Sequence, residues 1–422
     1  MSPDPRGVPF HLRAERAWAA QPDSPRTLTV EDNGVTLGFL AIDSTVTGSA
    51  SGGLRMMPDV APEELARLAR AMTLQQGFLG FPQGGAKAGV FGNPEAAAEE
   101  RAEILSRFAR AIRPFLLDRQ YVPASGMGTD AFEIRAMLSS AGIPIPRRDR
   151  RRGPSGAYTA ATVFAAARAA AAASKLPISG SRVVIEGFGK VGRPLAELFV
   201  GAGALVVAVS TLSSALYDPR GLDIARLCER VSQLGLSALD RHDPRKKISP
   251  AELKQLPAEI FCPCARHDTV QPSDIGRMAF KILSCGANSP IAPPAEPLLW
   301  ERGILAVPDF VANCGGVLGG AMEYCGWSPQ AISDFCQDPF RLAVERLIRR
   351  SLDSSEPLRA LAERLALARF AETKHHAEQP SFRAHAFTLG RDLYRAGWIP
   401  TALVHSLSRR YFAPDQLFAA IP

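Results

Sequence analysis

Residues 182–192 read RVVIEGFGKVG, a short β-branched run followed by three glycines at the spacing G-x-G-x-x-G. The β-branched run is typical of a strand buried in a parallel sheet. The residues after Gly192 predict a helix through Leu198, and residues 205–210 predict a second strand, which completes a βαβ unit. In that context the first glycine permits a tight turn, the second allows close approach of a pyrophosphate, and the third lets the helix pack on the strand.

The glycine loop therefore predicts a nicotinamide-dinucleotide site, with the phosphates at the free N–H groups of the helix start. The residues predicted to bind the cofactor are those of the loop and of the end of the second strand: Gly187, Phe188, Gly189, Lys190, Val191, Gly192, Ser210 and Thr211. Residues 210–214 read STLSS, so the acid that usually holds the ribose hydroxyls of NAD is missing. Both NAD and NADP remain open, as does a glycine turn that binds no ligand.

Strand and helix patterns alternate along the chain, which predicts an α/β protein with a doubly wound parallel sheet in its second half. The length of 422 residues favours two domains. Strands are predicted at 28–30, 35–43, 260–262, 280–285 and 304–307. Helices are predicted at 62–77, 94–117 and 159–174, with a glycine-rich segment at 84–89. Asp338 and Pro339 predict the start of a further helix, with Leu342, Leu347 and Ile348 on its apolar face.

Composition argues against several classes of partner. The chain is 46% hydrophobic and 22% charged, as in ordinary globular proteins, and Arg168 interrupts its most continuous small apolar tract. We therefore predict no membrane span. The net charge of +7 includes the run RRDRRR at 147–152, which we interpret as a solvated hinge because no nucleic-acid-binding module accompanies it.

The cysteines indicate a reducing compartment. Seven cysteines at irregular spacing do not form a disulfide framework, and residues 1–9 lack the pattern of a secretory signal, so we expect a cytoplasmic protein. The pair in Cys262-Pro263-Cys264 is too closely spaced for a typical zinc site, and no metal is predicted.

Six segments resemble the glutamate/leucine/phenylalanine/valine dehydrogenases in order and spacing. They read GGLR at 52–55, PQGGAKAG at 82–89, VPASGMGT at 122–129, GANSP at 286–290, VPD at 307–309 and NCGGV at 313–317. The resemblance implies a substrate-binding and oligomerisation domain at 1–150, a Rossmann NAD(P)-binding domain at 151–327, and C-terminal helices at 328–422 that pack back on the first domain. It implies a homo-oligomeric oxidoreductase that deaminates an L-amino acid and passes hydride to NAD(P).

The resemblance also assigns individual residues. Lys87 matches the lysine that polarises the reacting centre; we expect the flanking glycines to leave it accessible and burial to lower its pKa. The other implied substrate-site positions are Gly53, Gln75, Gly126, Asn313 and Gly320, and the cofactor set gains Thr159 and Asn288.

Two of the family's catalytic roles are vacant in this chain. Gln75 stands where the family carries the lysine for the substrate α-carboxylate, and Gly126 stands where it carries the proton-shuttling aspartate. Ser51 and Gly320 also replace residues that glutamate-specific members use for the substrate side chain. Because loss of a general base commonly costs about 10²–10⁴-fold in rate, ordinary glutamate conversion is not expected.

Three hypotheses follow for function. The first is an NAD(P)-dependent oxidoreductase with an altered substrate, which is an amino acid, a keto acid or an imine. The second is a catalytically silent relative that binds NAD(P) or regulates an active partner. The third is a true amino-acid dehydrogenase whose base has moved to one of three acids, Asp130, Asp59 or Glu323.

Overall fold

The computed structural model describes residues 25–146, 148, 155–239, 244–379 and 382–418, without the side chains of 382–388. Residues 1–9 and the predicted hinge at 147–152, except Arg148, lie outside the described residues. Two compact units are present. The first holds the described residues of 1–76, 81–150 and 370–396, and the second holds those of 77–80, 151–369 and 397–422. The domain bounds expected at 150 and 327 stay predictions, since the units divide the segment 328–422 between them.

Five strands form the sheet of the first unit, in the order β1-β2-β4-β3-β5. Their bounds are β1 Arg26–Asp32, β2 Val35–Ile42, β3 Ala50–Met57, β4 Gly84–Phe91 and β5 Tyr121–Ser125. β2 pairs antiparallel with β1 and β4, and β3 runs parallel to β4 and β5. The glycine-rich segment at 84–89 is therefore part of an inner, buried strand.

Helices cover both faces of this sheet. They are α1 Pro62–Leu79, α2 Ala98–Ala111, α3 Arg113–Leu117 and α4 Ala131–Ser140. α1 packs Leu65 and Leu68 against Ala41 on one face. The core on the other face joins alternate strand residues such as Leu40 with Phe108 and other apolar residues of α2 to α4.

The prediction of a single helix at 94–117 is wrong, because two helices, α2 and α3, cover this segment and α2 starts later than predicted. The helix begins only at Ala98, because Asn93 forms a turn in which its Oδ1 accepts from Glu95 N–H at 2.9 Å. It ends at Ala111, and α3 starts afresh with Pro114 in its first turn, where the missing N–H of proline is tolerated.

Seven strands form the sheet of the second unit, in the order β12-β11-β10-β6-β7-β8-β9. Their bounds are β6 Arg182–Glu186, β7 Leu205–Ser210, β8 Ala215–Tyr217, β9 Lys247–Ile248, β10 Ile260–Pro263, β11 Ile282–Ser284 and β12 Leu305–Val307. The five strands from β12 to β7 are parallel, whereas β8 and β9 add an antiparallel edge. The predicted α/β class with a Rossmann sheet is confirmed, although β11 and β12 are shorter than predicted.

Helices of the second unit surround this sheet. Their bounds are α5 Ser155–Ala173, α6 Gly192–Gly201, α7 Ile224–Leu234, α8 Pro272–Ile275, α9 Glu296–Glu301, α10 Asp309–Ala312, α11 Gly315–Tyr324, α12 Pro329–Phe335 and α13 Arg341–Ser354. Short 3₁₀ turns occur at Leu236–Ala238, Pro244–Lys246, Pro250–Gln255 and Pro293–Ala295. The alanines of α5 make it a narrow, buried helix, which α11 and α13 approach closely.

The helix start predicted at Asp338 is wrong. Ser328 begins α12 instead, where its Oγ accepts from Ala331 N–H at 3.2 Å. Pro339 lies inside a π-helical turn, Cys336–Phe340, that leads directly into α13. Leu342 is exposed, so Val344 rather than Leu342 joins Leu347 and Ile348 on the buried face of α13.

Among the described C-terminal residues, four more helices follow: α14 Leu358–Glu378, α15 Phe382–Ala396, α16 Thr401–Tyr411 and α17 Pro414–Leu417. No helix in the part of the chain that the structure describes is both long enough and apolar enough to cross a membrane. The cytoplasmic location expected from the cysteines stays a prediction.

Candidate active site and dinucleotide loop

The loop between β6 and α6 has a backbone that only glycine accommodates at two of its positions. Gly187 has φ +93°, and a Cβ there would lie 2.8 Å from the Ala265 backbone. A Cβ at Gly192 would overlap the Gly187 carbonyl oxygen. Gly189 differs, since nothing described lies within 4 Å of where its Cβ would stand. These are the demands of a tight turn, a close helix–strand packing and an open approach to a ligand.

The end of β7 braces this loop. Gly187 N–H donates to Ser210 Oγ at 3.1 Å, and Phe188 N–H donates to the Ser210 carbonyl at 2.6 Å. Ser210 and Phe188 are both buried, so they hold the loop on its protein-facing side. Thr211 Oγ1 accepts from Ser214 N–H at 3.2 Å and closes the turn after β7.

The rest of the loop faces α5 and β11. The Lys190 carbonyl lies 2.5 Å from where a Gly156 Cβ would stand, and Val191 Cγ1 lies 3.4 Å from where a Gly286 Cβ would stand. The Lys190 side chain is exposed. The loop, the start of α5 and the end of β11 therefore meet at the carboxyl edge of the sheet, where open α/β sheets bind ligands.

Glu186, the last residue of β6, is a feature that the sequence analysis missed. Its Oε2 is buried, and the described residues offer that atom no hydrogen-bond partner. Burial raises the pKa of Glu186, and a hydrogen bond from Thr269 and the charge of Lys254 oppose this only in part. Lys254 is itself paired with Asp274 at 2.5 Å. The signal available in the sequence was a carboxylate ending an otherwise apolar strand.

Two asparagines predicted from the resemblance come together at the end of β11. Asn313 Nδ2 donates to Asn288 Oδ1 at 2.7 Å and to the Ala287 carbonyl at 2.9 Å. Ser289 N–H donates to Asp309 Oδ2 at 2.8 Å, and the other oxygen of Asp309 accepts from Arg359 at 2.7 Å. This chain of bonds fixes the loop that carries Asn288.

The remaining predicted residues of the second unit lie on α5 and α11. Thr159 Oγ1 donates to the Ser155 carbonyl at 3.0 Å and lies 3.0 Å from where a Gly316 Cβ would stand. Gly320 follows one turn later on α11, and a Cβ there would meet no described atom within 4 Å. The absence of a side chain at Gly320 therefore leaves open space.

Lys87 lies on β4 in the first unit. Its side chain is only 6% exposed, so the expectation that the glycines leave it accessible is wrong: α1 covers this face of the sheet. Desolvation by burial, helped by the Arg55 charge, lowers the pKa of Lys87 to about 7. The position where a Gly53 Cβ would stand lies 3.3 Å from Lys87 Nζ and 3.4 Å from Gly126 Cα, so these three predicted residues are neighbours.

Polar and charged groups of β3 and α1 share this layer. Arg55 forms a buried ion pair with Glu64, the third residue of α1. Gln76 Nε2 donates to Ser51 Oγ at 3.1 Å. Gln75 is buried, at 4% exposure. The Arg55–Glu64 pair and the Ser51–Gln76 bond are contacts that spacing alone does not reveal.

The position of the missing aspartate is sterically closed. A Cβ at Gly126 would lie 2.5 Å from the Leu54 carbonyl oxygen. Thr129 fills the adjacent space: its Oγ1 accepts from Gly126 N–H at 2.9 Å and donates to that same carbonyl at 2.7 Å. The backbone at Gly126 is therefore adapted to glycine.

The three acids considered as replacement bases lie in ordinary structural settings. Asp130 caps α4, where Asp130 Oδ1 accepts from Glu133 N–H at 2.8 Å in a capping box. Asp59 is exposed. Glu323 lies on α11 beside Tyr158, whose pKa is raised by burial and by the Glu323 carboxylate.

Comparisons with known proteins cover most of the chain. A family model described as glutamate/leucine/phenylalanine/valine dehydrogenase matches residues 155–377, and its dimerisation-domain model matches residues 25–141. The NAD-specific glutamate dehydrogenase of Staphylococcus aureus is 30% identical over 357 residues, which cover 80% of this chain and 86% of that protein. Glutamate dehydrogenase B of Halobacterium salinarum is 30% identical over 367 residues, which cover 82% and 84%.

Solved structures show the same fold. A hetero-hexameric glutamate dehydrogenase from Thermus thermophilus, in a leucine-bound form, superposes with a TM-score of 0.72 at 24% identity, over 86% of this chain and 92% of that one. The L-tryptophan dehydrogenase of Nostoc punctiforme gives 0.55 at 22% identity, over 83% and 96%.

Proposed function

Because the chain belongs to the glutamate/leucine/phenylalanine/valine dehydrogenase family, we propose that it is an NAD(P)-dependent oxidoreductase acting on a CH–NH₂ or imine group, with Lys87 as its catalytic amine. The observation that carries this proposal is the buried Lys87, whose pKa is lowered to about 7. Both the protonated and the neutral form of such an amine are accessible near neutral pH. It can therefore donate a hydrogen bond to a developing charge or accept a proton.

The glycine loop supports NAD(P) as the cofactor, which supplies or accepts the hydride when bound. Gly189 leaves its surroundings open, and the ten-residue helix α6 presents its first N–H groups beside the loop. The predicted cofactor residues from Gly187 to Gly192, with Ser210, Thr211, Thr159 and Asn288, are proposed to form this site. The name of the S. aureus relative makes NAD the first cofactor to test.

The residues at the proposed substrate positions favour a substrate other than glutamate. Gln75 supplies no charge for an α-carboxylate. Ser51 supplies none for a side-chain carboxylate, and its hydroxyl is hydrogen-bonded to Gln76. Since charge-assisted hydrogen bonds are roughly twice as strong as neutral ones, binding of a dicarboxylate is expected to be weak. An imine without a carboxylate needs no such compensation, and a modified amino acid or keto acid with a single carboxylate needs less than a dicarboxylate. Gly53, Gly126, Asn313 and Gly320 remain proposed substrate positions.

A second candidate function is a silent relative that binds NAD(P) or regulates an active partner. The specific observation favouring it is Gly126, whose backbone is closed to the aspartate side chain that moves protons in the family. Asp130 does not compensate for this loss, because its carboxylate caps α4. The version with a relocated base at Asp130 therefore has the least support.

The test is a turnover assay with Lys87→Met as the comparison. Purified protein is mixed with NADH or NADPH and a panel of 2-keto acids with ammonia or amines, or with NAD(P) and L-amino acids, and cofactor absorbance is followed. The proposal expects turnover with at least one substrate, and loss of at least about 10²-fold in Lys87→Met. Cofactor binding without any turnover would favour the silent relative.

A further inference from the structure

Two buried basic side chains, Lys87 and Arg55, share the layer under α1. Lys87 on β4 extends over Gly53, and Arg55 lies two residues further along β3, on the same face as Gly53. Lys87 and Arg55 are each only 6% exposed. Like charges at this depth repel strongly, because little water is present to screen them. Glu64, 5% exposed, holds the Arg55 guanidinium from α1.

We infer that Arg55 and Glu64 are positioning residues that set how much of Lys87 is in the neutral, reactive form. Arg55 disfavours the charged amine, while Glu64 offsets part of the Arg55 charge and keeps Arg55 in place. The inference rests on the proposed role of Lys87, but it concerns the ionisation of one amine and not turnover. Its physical basis is the arrangement of the three groups, in which the Arg55 guanidinium lies between the Lys87 amine and the Glu64 carboxylate.

Other charged groups of the layer are accounted for. Asp43, the residue after β2, accepts from Thr73 Oγ1 at 2.5 Å and lies 3.6 Å from Arg70 of α1. The Asp43 carboxylate thus has partners of its own. Desolvation and Arg55 are the two causes that lower the pKa of Lys87. Changes in the Arg55–Glu64 pair should therefore alter the titration of Lys87 directly.

The experiment measures the titration midpoint of Lys87 in the full-length protein. The rate of acylation of Lys87 by acetic anhydride is followed from about pH 5 to 10 by peptide mass spectrometry, with the exposed Lys175 as the internal reference. The variants are Glu64→Gln, Arg55→Gln and the double variant. Asp32→Asn, which breaks the half-exposed pair of Asp32 with Arg107, is the matched control. Thermal melting shows that each variant is folded.

The inference predicts an order of midpoints. Glu64→Gln leaves the Arg55 charge uncompensated and lowers the midpoint by about one pH unit; Arg55→Gln leaves a carboxylate nearby and raises it by about one pH unit. The double variant falls between wild type and Arg55→Gln, and the control matches wild type. Shifts of both single variants in the same direction, or no shift in folded protein, would overturn the inference.

The double variant protects the test against misfolding of the single variants. Removing one partner of a buried pair can unfold a protein, whereas removing both leaves no uncompensated charge. If only the double variant folds, a midpoint at or below that of wild type contradicts the inference. A shifted midpoint in a protein without turnover would support this inference while rejecting the proposed oxidoreductase activity, so the two failures are distinguishable.

Discussion

At the scale of single residues, the proposed substrate site has a buried amine at Lys87 and no side chain at Gly126. Lys87 is buried and its pKa is lowered to about 7, which suits proton transfer near neutral pH. Gly126 lies within the same group of neighbours but is closed to side chains by the Leu54 carbonyl. The backbone at Gly126 is therefore adapted to glycine, and we do not expect an aspartate introduced there to act as a base.

Gly126→Asp tests this view. A Cβ 2.5 Å from a backbone oxygen forces the strand ends apart, so we expect a loss of about 1–3 kcal/mol in the free energy of unfolding, with no gain of glutamate turnover. Denaturant unfolding and the turnover assay measure the two effects. Gly320→Ser is the matched control: it fills open space and should leave stability nearly unchanged. A stable Gly126→Asp variant with glutamate activity would show that the account of this position is mistaken.

At the scale of elements, the carboxyl end of β6 joins a glycine loop to a buried acid. Gly187 and Gly192 form the turn, and Glu186 precedes it with Oε2 buried. An acid whose folded-state pKa is raised binds its proton more tightly in the folded protein. The folded state therefore loses stability as the pH rises from the ordinary value of 4.5 through the raised pKa.

Glu186→Gln is expected to remove the loss of stability that the folded protein suffers as the pH rises. The melting temperature of the variant should exceed that of wild type at pH 8, and the difference should shrink as the pH falls towards about 4.5. Binding of a dinucleotide should also tighten, because a carboxylate beside the loop repels phosphate. Differential scanning fluorimetry at a series of pH values measures the first effect, and a variant less stable at pH 8 would contradict it.

Elements also show where sequence reasoning succeeds. The strands at 182–186 and 205–210 and the loop between them could be predicted, because β-branched runs and glycine spacing are local signals. The break before Arg113 also has a local signal, since Pro114 favours a helix start, and the single predicted helix overlooked it. Asp338 and Pro339 were interpreted as a helix start, whereas the chain stays helical through the π turn around Pro339. The exposure of Lys87 was misjudged because glycines beside it let α1 approach rather than solvent.

At the scale of the whole molecule, the sequence predicted the α/β class and the family motifs but missed ion pairs between different elements. The pairs Arg55–Glu64 and Arg359–Asp309 join different elements, and no local pattern marks them. The C-terminal helices are also divided between the two compact units, and no change in composition along the sequence predicts where the division falls.

Assembly is a prediction at this scale. The match of residues 25–141 to a dimerisation domain leads us to expect a homo-oligomer. Size-exclusion chromatography with light scattering should give a mass that is a multiple of the chain mass of 45.3 kDa. A single species at the chain mass would contradict the expected oligomer.

The most direct test of the central claim is titration of the protein with NADH and NADPH, followed by nicotinamide fluorescence. The account predicts saturable binding of at least one of them, and loss of binding in Gly189→Val, which should melt like wild type because the space at Gly189 is open. No saturable signal with either cofactor, or equal binding by folded Gly189→Val, would contradict the assignment of the glycine loop.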